Sequence, residues 1–98
     1  MSFQKDLEKS ETKFLHRLAD FTGKHVLEIG CGEGRLTWKY AASARRVTGI
    51  DPDRNALRVA YYDMPSELRK TTTLACASAL DMPFPNEAFD IGLLAWSL

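Results

Sequence analysis

The sequence predicts an α/β protein built on a doubly wound, mostly parallel sheet. Three observations point there. Strand-like and helix-like segments alternate in the order β-α-β-α-β-β. The apolar run Val26-Leu27-Glu28-Ile29 stops at a glycine-rich turn, Gly30-Cys31-Gly32-Glu33-Gly34. A short apolar run ending in glycines reads as a buried strand handing over to a tight turn. The composition is globular: 98 residues, 45% hydrophobic and 27% charged, enough for one small domain with a core.

The elements follow in order. Residues 3–21 read as an amphipathic helix, with Phe3, Leu7, Phe14, Leu18 and Phe21 near a 3.5-residue period and charges between them. Thr22-Gly23 ends it, with glycine just past the last turn. Residues 1–22 are thus read as an N-terminal helix and 23–98 as the domain proper. His16, among charged residues, reads as solvated surface rather than a base. The first strand is expected over His25–Ile29. A helix is expected over 35–44, because Leu36, Tyr40 and Ala44 repeat at i, i+4 and i+8, and Arg45-Arg46 suits its C-terminal dipole.

A second strand is expected over 46–50, ending at Asp51. A third helix, over 53–63, carries Ala56, Leu57, Val59 and Ala60, with Asp53 as a cap and Pro65 as its stop. After a polar segment, the β-branched run Thr71-Thr72-Thr73 opens a strand over Thr72–Cys76. Ala77 to Pro85 reads as a loop, its Met82-Pro83-Phe84-Pro85 a turn with an apolar plug. A fourth strand is expected over Phe89–Ala95. Trp96 then serves either the core or the wall of a site at the strand end.

Thirteen basic residues balance thirteen acidic ones, which argues against nucleic acid or an anionic membrane as partner. Cys31 and Cys76 have neither metal-ligand nor disulfide spacing, and no metal site is expected. Cys31 reads as a small residue in the turn and Cys76 as core. Both suit a reducing, cytoplasmic setting. Met1 to Ser10 lacks an apolar secretion signal, and no apolar run nears the ~20 residues of a membrane span.

The turn suggests the chemistry. Glycines permit positive φ and bare the backbone, so a ligand can lie against it. The third glycine falls one residue too early for the dinucleotide fingerprint. Glu28, two residues before Gly30, would repel a pyrophosphate and favour a cationic ligand, and Glu33 adds to that bias. The plainer alternative pairs Glu28 with a nearby Lys or Arg, since a charge in so apolar a run needs a partner. Asp51, 17 residues after Gly34, stands where an acid at the end of a second strand accepts ribose hydroxyls. Its alternative is a helix-start role before Pro52.

Four segments, VLEIGCGEG, Gly49-Ile50-Asp51-Pro52-Asp53, Ala77 to Pro85 and Phe89-Asp90-Ile91, together resemble the class I S-adenosylmethionine-dependent methyltransferases. They cover roughly residues 22–98 in the family's order. The resemblance implies a Rossmann-like fold, truncated after strand 4, with strand order 3-2-1-4 and a ligand site at the carboxyl edge where the order reverses. It implies S-adenosylmethionine as cofactor, and as its contacts Glu28, Gly30, Cys31, Gly32, Gly34, Asp51, Pro52, Ser78, Ala79 and Ala95. Ser78 stands where resembling sequences carry an Asp for the adenine amino group, so it brings a hydrogen bond without charge. Ala79 would offer its backbone N–H. A helix in the place of 3–21 often covers the cofactor in such enzymes.

The expected function is therefore the cofactor-binding half of a methyltransferase, with no catalytic residue assigned, because acceptor and base residues usually follow strand 4. The acceptor stays open among a small metabolite, a lipid, a protein and RNA, with a small molecule the expectation. Two alternatives stand beside it: a non-catalytic S-adenosylmethionine-binding or interaction module, and an NAD-dependent oxidoreductase, against which Glu28 counts. Strand 4 would be an exposed apolar edge, so the chain reads as an N-terminal fragment, a truncated product, or a protomer that covers this edge with a second copy or another partner.

Overall fold

The computed structural model describes residues 20–78, 80 and 88–95. The expected helix over 3–21 lies outside them except for its last two residues. So do His16, Ala79, the apolar plug and Trp96.

Four strands make one sheet: β1 (His25–Ile29), β2 (Arg46–Asp51), β3 (Thr72–Cys76) and β4 (Ile91–Leu94). Their order is β3-β2-β1-β4, and every pair is parallel. That is the order the resemblance implied. Between them lie α1 (Thr37–Tyr40), α2 (Arg54–Asp63) and a 3₁₀ turn over Ser66–Leu68.

The register places Val26, Val47, Thr72 and Ile91 side by side, and likewise Glu28, Gly49, Leu74 and Leu93. Alternate residues share a face, so these eight share one. The helices pack there. Phe21, Val26, Tyr40, Ala41, Ala44, Val47, Met64 and Leu68 form the buried core, with Leu36, Trp38, Leu74, Ile91 and Leu93 against it. Val26 and Val47 are fully buried, each worth roughly 1.5–3 kcal/mol over exposure. Phe21 stacks on Tyr40 with ring centroids 4.6 Å apart.

α2 starts where its sequence says it should. Asp53 Oδ1 accepts the N–H groups of Asn55 at 3.0 Å and Ala56 at 3.2 Å, an N-cap. Leu57 and Ala60 are buried, whereas Val59 is 38% exposed. Met64 closes the helix just before Pro65. The polar segment hides one apolar anchor, Leu68, which is buried in the 3₁₀ turn.

Three expectations change. The helix over 35–44 shortens to Thr37–Tyr40. The chain turns back at once, because Ala44 bridges to Thr22 and the N–H groups of Arg45 and Arg46 both donate to the Lys24 carbonyl. Those sheet-directed bonds compete with helix continuation and win. The fourth strand shortens to Ile91–Leu94, although Asp90 N–H still donates to His25 and Ala95 N–H to Ile29. Phe89 turns aside to meet the His25 ring edge-on at 4.5 Å. Cys76 is exposed rather than core, since it ends the outermost strand, β3.

Candidate functional site

The turn after β1 is docked on the end of β2. Gly30 and Cys31 both donate their N–H to the Ile50 carbonyl, at 2.8 and 3.1 Å. Gly34 N–H donates to the Cys31 carbonyl at 3.0 Å, and Trp38 N–H to the Gly34 carbonyl at 3.1 Å, which leads the chain into α1. Gly30, Gly32 and Gly34 all have positive φ, at 80°, 55° and 87°.

The glycines do different work. A Cβ on Gly34 would stand 2.4 Å from the Trp38 ring, so this glycine makes room for an indole. A Cβ on Gly32 would find only Asp51 Oδ2, at 4.0 Å. Among the described residues, open space therefore lies over Gly32. Gly49, on β2, serves Cys31: a Cβ there would stand 3.0 Å from the Cys31 Sγ and 3.1 Å from Leu74.

Asp51 holds the turn to β2. Its Oδ2 accepts Gly32 N–H at 2.9 Å and its Oδ1 accepts Asp53 N–H at 2.8 Å. A carboxylate has about four acceptor positions, so about two remain. Asp51 is half-buried and Pro52 exposed, so those positions can meet a ligand. Ala77 N–H donates to the Asp51 carbonyl at 3.2 Å, which brings half-buried Ser78 to the same edge. Ala95 N–H donates to Ile29 at 2.9 Å and closes the edge from the β4 side. Gly30, Gly32, Gly34, Asp51, Pro52, Ser78 and Ala95 thus gather at the carboxyl edge, where the strand order reverses between β1 and β4. Glu33 is exposed in the turn.

Glu28 sits one step beneath. It is fully buried on the helical face of β1. Among the described residues, no Lys or Arg meets it. Its Oε1 instead accepts the Thr37 hydroxyl at 2.9 Å and the Tyr40 phenol. Its Oε2 is buried without a hydrogen-bond partner among the described residues. Burial raises the Glu28 carboxyl above its ordinary range, while the Tyr40 and Thr37 hydrogen bonds pull the other way. Burial, with Glu28 and Asp51 nearby, pushes the buried Cys31 thiol up to about 12. Burial beside Glu28 drives the Tyr40 phenol upward as well. Neither is a nucleophile at neutral pH.

Thr37 and Tyr40 escaped the sequence reading, which placed Tyr40 on an apolar face. Their i, i+3 spacing on one side of a helix was the available signal. Among the described residues, no group of three or more His, Cys, Asp or Glu side chains could hold a metal ion. No described helix is long and apolar enough to cross a membrane. An apolar groove of about 410 Å³ between Leu57, Tyr61 and Leu74 lies on the helical face and includes none of the turn residues.

The model of the methyltransferase domain matches residues 26–98. The chain belongs to the methyltransferase-domain family. The match runs from the second residue of β1 through β4. The demethylmenaquinone methyltransferase of Lactococcus lactis is 29% identical over 98 residues, which is 97% of this chain and 38% of that protein. The chain thus spans well under half the length of the curated relative. A Listeria monocytogenes protein described as an S-adenosylmethionine-dependent methyltransferase superposes with a TM-score of 0.71 at 27% identity, over 89% of this chain and 39% of its own. The [4+2]-cyclase SpnF superposes with a TM-score of 0.77 at 25% identity, over 94% and 35%.

Proposed function

We propose that this methyltransferase-domain chain binds S-adenosylmethionine at the carboxyl edge and forms the cofactor-binding half of a methyltransferase. The observation that carries this reading is the bare backbone at Gly32. Its N–H is held by Asp51, and among the described residues a side chain beginning there would meet only Asp51 Oδ2, at 4.0 Å. Space bordered by the Asp51 carboxylate, with the buried Glu28 carboxyl two residues before the turn, suits a cationic ligand that carries ribose hydroxyls.

In this reading the remaining acceptor positions of Asp51 take the ribose hydroxyls. Gly30, Cys31, Gly32 and Gly34 supply the backbone wall. Pro52, Ser78 and Ala79 flank the adenine, and Ala95 bounds the opposite side. Glu28 provides the negative field. The cofactor supplies a methyl group activated on a cationic sulfur. The chain's contribution is placement of that donor, and proximity of this kind is worth ~7–11 kcal/mol in ideal cases. The acceptor proposed is a small molecule, as the name of the Lactococcus lactis relative suggests for that enzyme. The setting proposed is the cytoplasm, with a second copy or partner covering the β4 edge, where Leu94 is 62% exposed.

A second reading is a module that binds the cofactor or a partner without transferring methyl. Ser78 in place of an acid favours it, and so does the likeness to a cyclase.

Calorimetric titration of the 98-residue chain with S-adenosylmethionine, with NAD as control, tests the site. Saturable binding of S-adenosylmethionine alone supports it. A folded chain that binds neither, or both equally, overturns it. Methyl transfer by the chain to any acceptor would rule out the second reading.

A further inference from the structure

The docking of the turn accounts for Asp51 but not for Glu28. A fully buried carboxyl that makes no ion pair among the described residues and leaves one oxygen unsatisfied is costly, and native structures rarely keep such a group without a use. Its neighbours Val26, Leu27 and Ile29 are apolar, and leucine would suit the strand as well. Something must repay the oxygen.

The other oxygen is over-supplied. Thr37 and Tyr40 both donate to Oε1 and none of the described groups donates to Oε2. Both donors are locked. Thr37 is fully buried, Tyr40 is 1% exposed, and its ring is stacked on Phe21. α1 is itself placed by the glycine turn through the Trp38–Gly34 hydrogen bond. The same backbone that offers space over Gly32 therefore positions the two hydroxyls.

We propose that Thr37 and Tyr40 are positioning residues for the cofactor site: they hold Glu28 by Oε1 and keep Oε2 free to answer the positive charge of S-adenosylmethionine. This rests on the reading of the carboxyl edge as the S-adenosylmethionine site. The two hydroxyls also keep the carboxyl ionisable despite its burial. A cation that enters beside Glu28 favours the carboxylate. Where Glu28 is protonated, its O–H bond breaks on binding and the proton passes to solvent. Affinity therefore falls as pH falls. Loss of the Tyr40 hydroxyl makes ionisation harder, so the fall begins at higher pH.

Among the described residues, the titratable groups around Glu28 are Tyr40 from α1, Cys31 from the turn and Asp51 from the end of β2, while β2 and β4 present Gly49 and Leu93 at its register. Tyr40 and Cys31 are both shifted upward and stay protonated across the neutral range. A Glu28→Gln background removes the Glu28 titration.

The test is S-adenosylmethionine binding by the 98-residue chain at about pH 6 and about pH 9, with circular dichroism confirming the fold of each variant. Tyr40→Phe should weaken binding about tenfold at the lower pH, the effect of a one-unit shift, and about threefold or less at the higher. Thr37→Val should do the same more weakly. In the Glu28→Gln background, Tyr40→Phe should act equally at both pH values. An equal loss at both pH values in the parent background, or a pH-dependent loss that survives Glu28→Gln, overturns the proposal and leaves the site standing. A parent chain that binds no S-adenosylmethionine at either pH overturns both.

Discussion

The two sides of the glycine turn are built on opposite plans. On the α1 side the turn is packed: Gly34 lies under the Trp38 ring, and Thr37 and Tyr40 hold one oxygen of Glu28. On the β2 side the turn is open among the described residues: Gly32 faces free space, and half-buried Asp51 binds only backbone N–H groups. The difference teaches what each carboxylate can be used for. Asp51 is fixed by the path of the chain itself, and it keeps acceptor positions for a ligand. Glu28 is fixed by two side chains, so single substitutions can retune it.

The sharpest way to break the comparison is on the closed side. Gly34→Ala should cost the left-handed strain of roughly 1–2 kcal/mol and a further 1–3 or so from the overpacked Trp38 ring. A urea-unfolding midpoint equal to the parent's would mean that Trp38 does not close this side. Next is Asp51→Ala, which removes two hydrogen bonds to a charged acceptor and should cost about 1.5–3 kcal/mol in the same assay. It should also abolish detectable S-adenosylmethionine binding. Unchanged binding would remove Asp51 from the site.

A smaller effect depends on pH. Burial raises the folded-state Glu28 carboxyl above its ordinary 4.5, so the folded chain holds that proton more tightly than the unfolded one. The resulting stability is fully present below 4.5 and is lost as pH rises through the raised value. Glu28→Gln has no such loss. Its urea midpoint relative to the parent should climb from acid to neutral pH, by less than Asp51→Ala costs. A constant difference would show that Glu28 does not titrate. The smallest change is Gly32→Ala. Nothing crowds a methyl there, so only backbone strain of about 1 kcal/mol remains. Binding should nonetheless weaken, because the methyl enters the space kept for the ligand. If Gly34→Ala and Gly32→Ala destabilise equally, the open and closed sides are not distinct.

Much of this was legible beforehand where the cause is local. β1 and β3 fall on the expected residues, and α2 differs by one residue at its start. Apolar runs, β-branched runs and an Asp cap act within a few residues of themselves. The helix after the turn was less legible: its apolar spacing was real, but Ala44 pairs with Thr22 instead. Cys76 looked like core because its run is apolar, yet its strand ends the sheet. At the site, the glycine turn and Asp51 were visible as a motif. The division of labour among the glycines was not.

The sequence by itself determined four parallel strands, a glycine turn after the first and acids at the ends of the first two. These follow from backbone preferences and from apolar residues that must leave water together. Only the tertiary structure decided that Gly34 serves Trp38, that Gly49 makes room for Cys31, and that Thr37 and Tyr40 take one oxygen of Glu28. Such contacts join groups brought together across elements. Their geometry depends on how α1 settles on the sheet, which no spacing along the chain encodes.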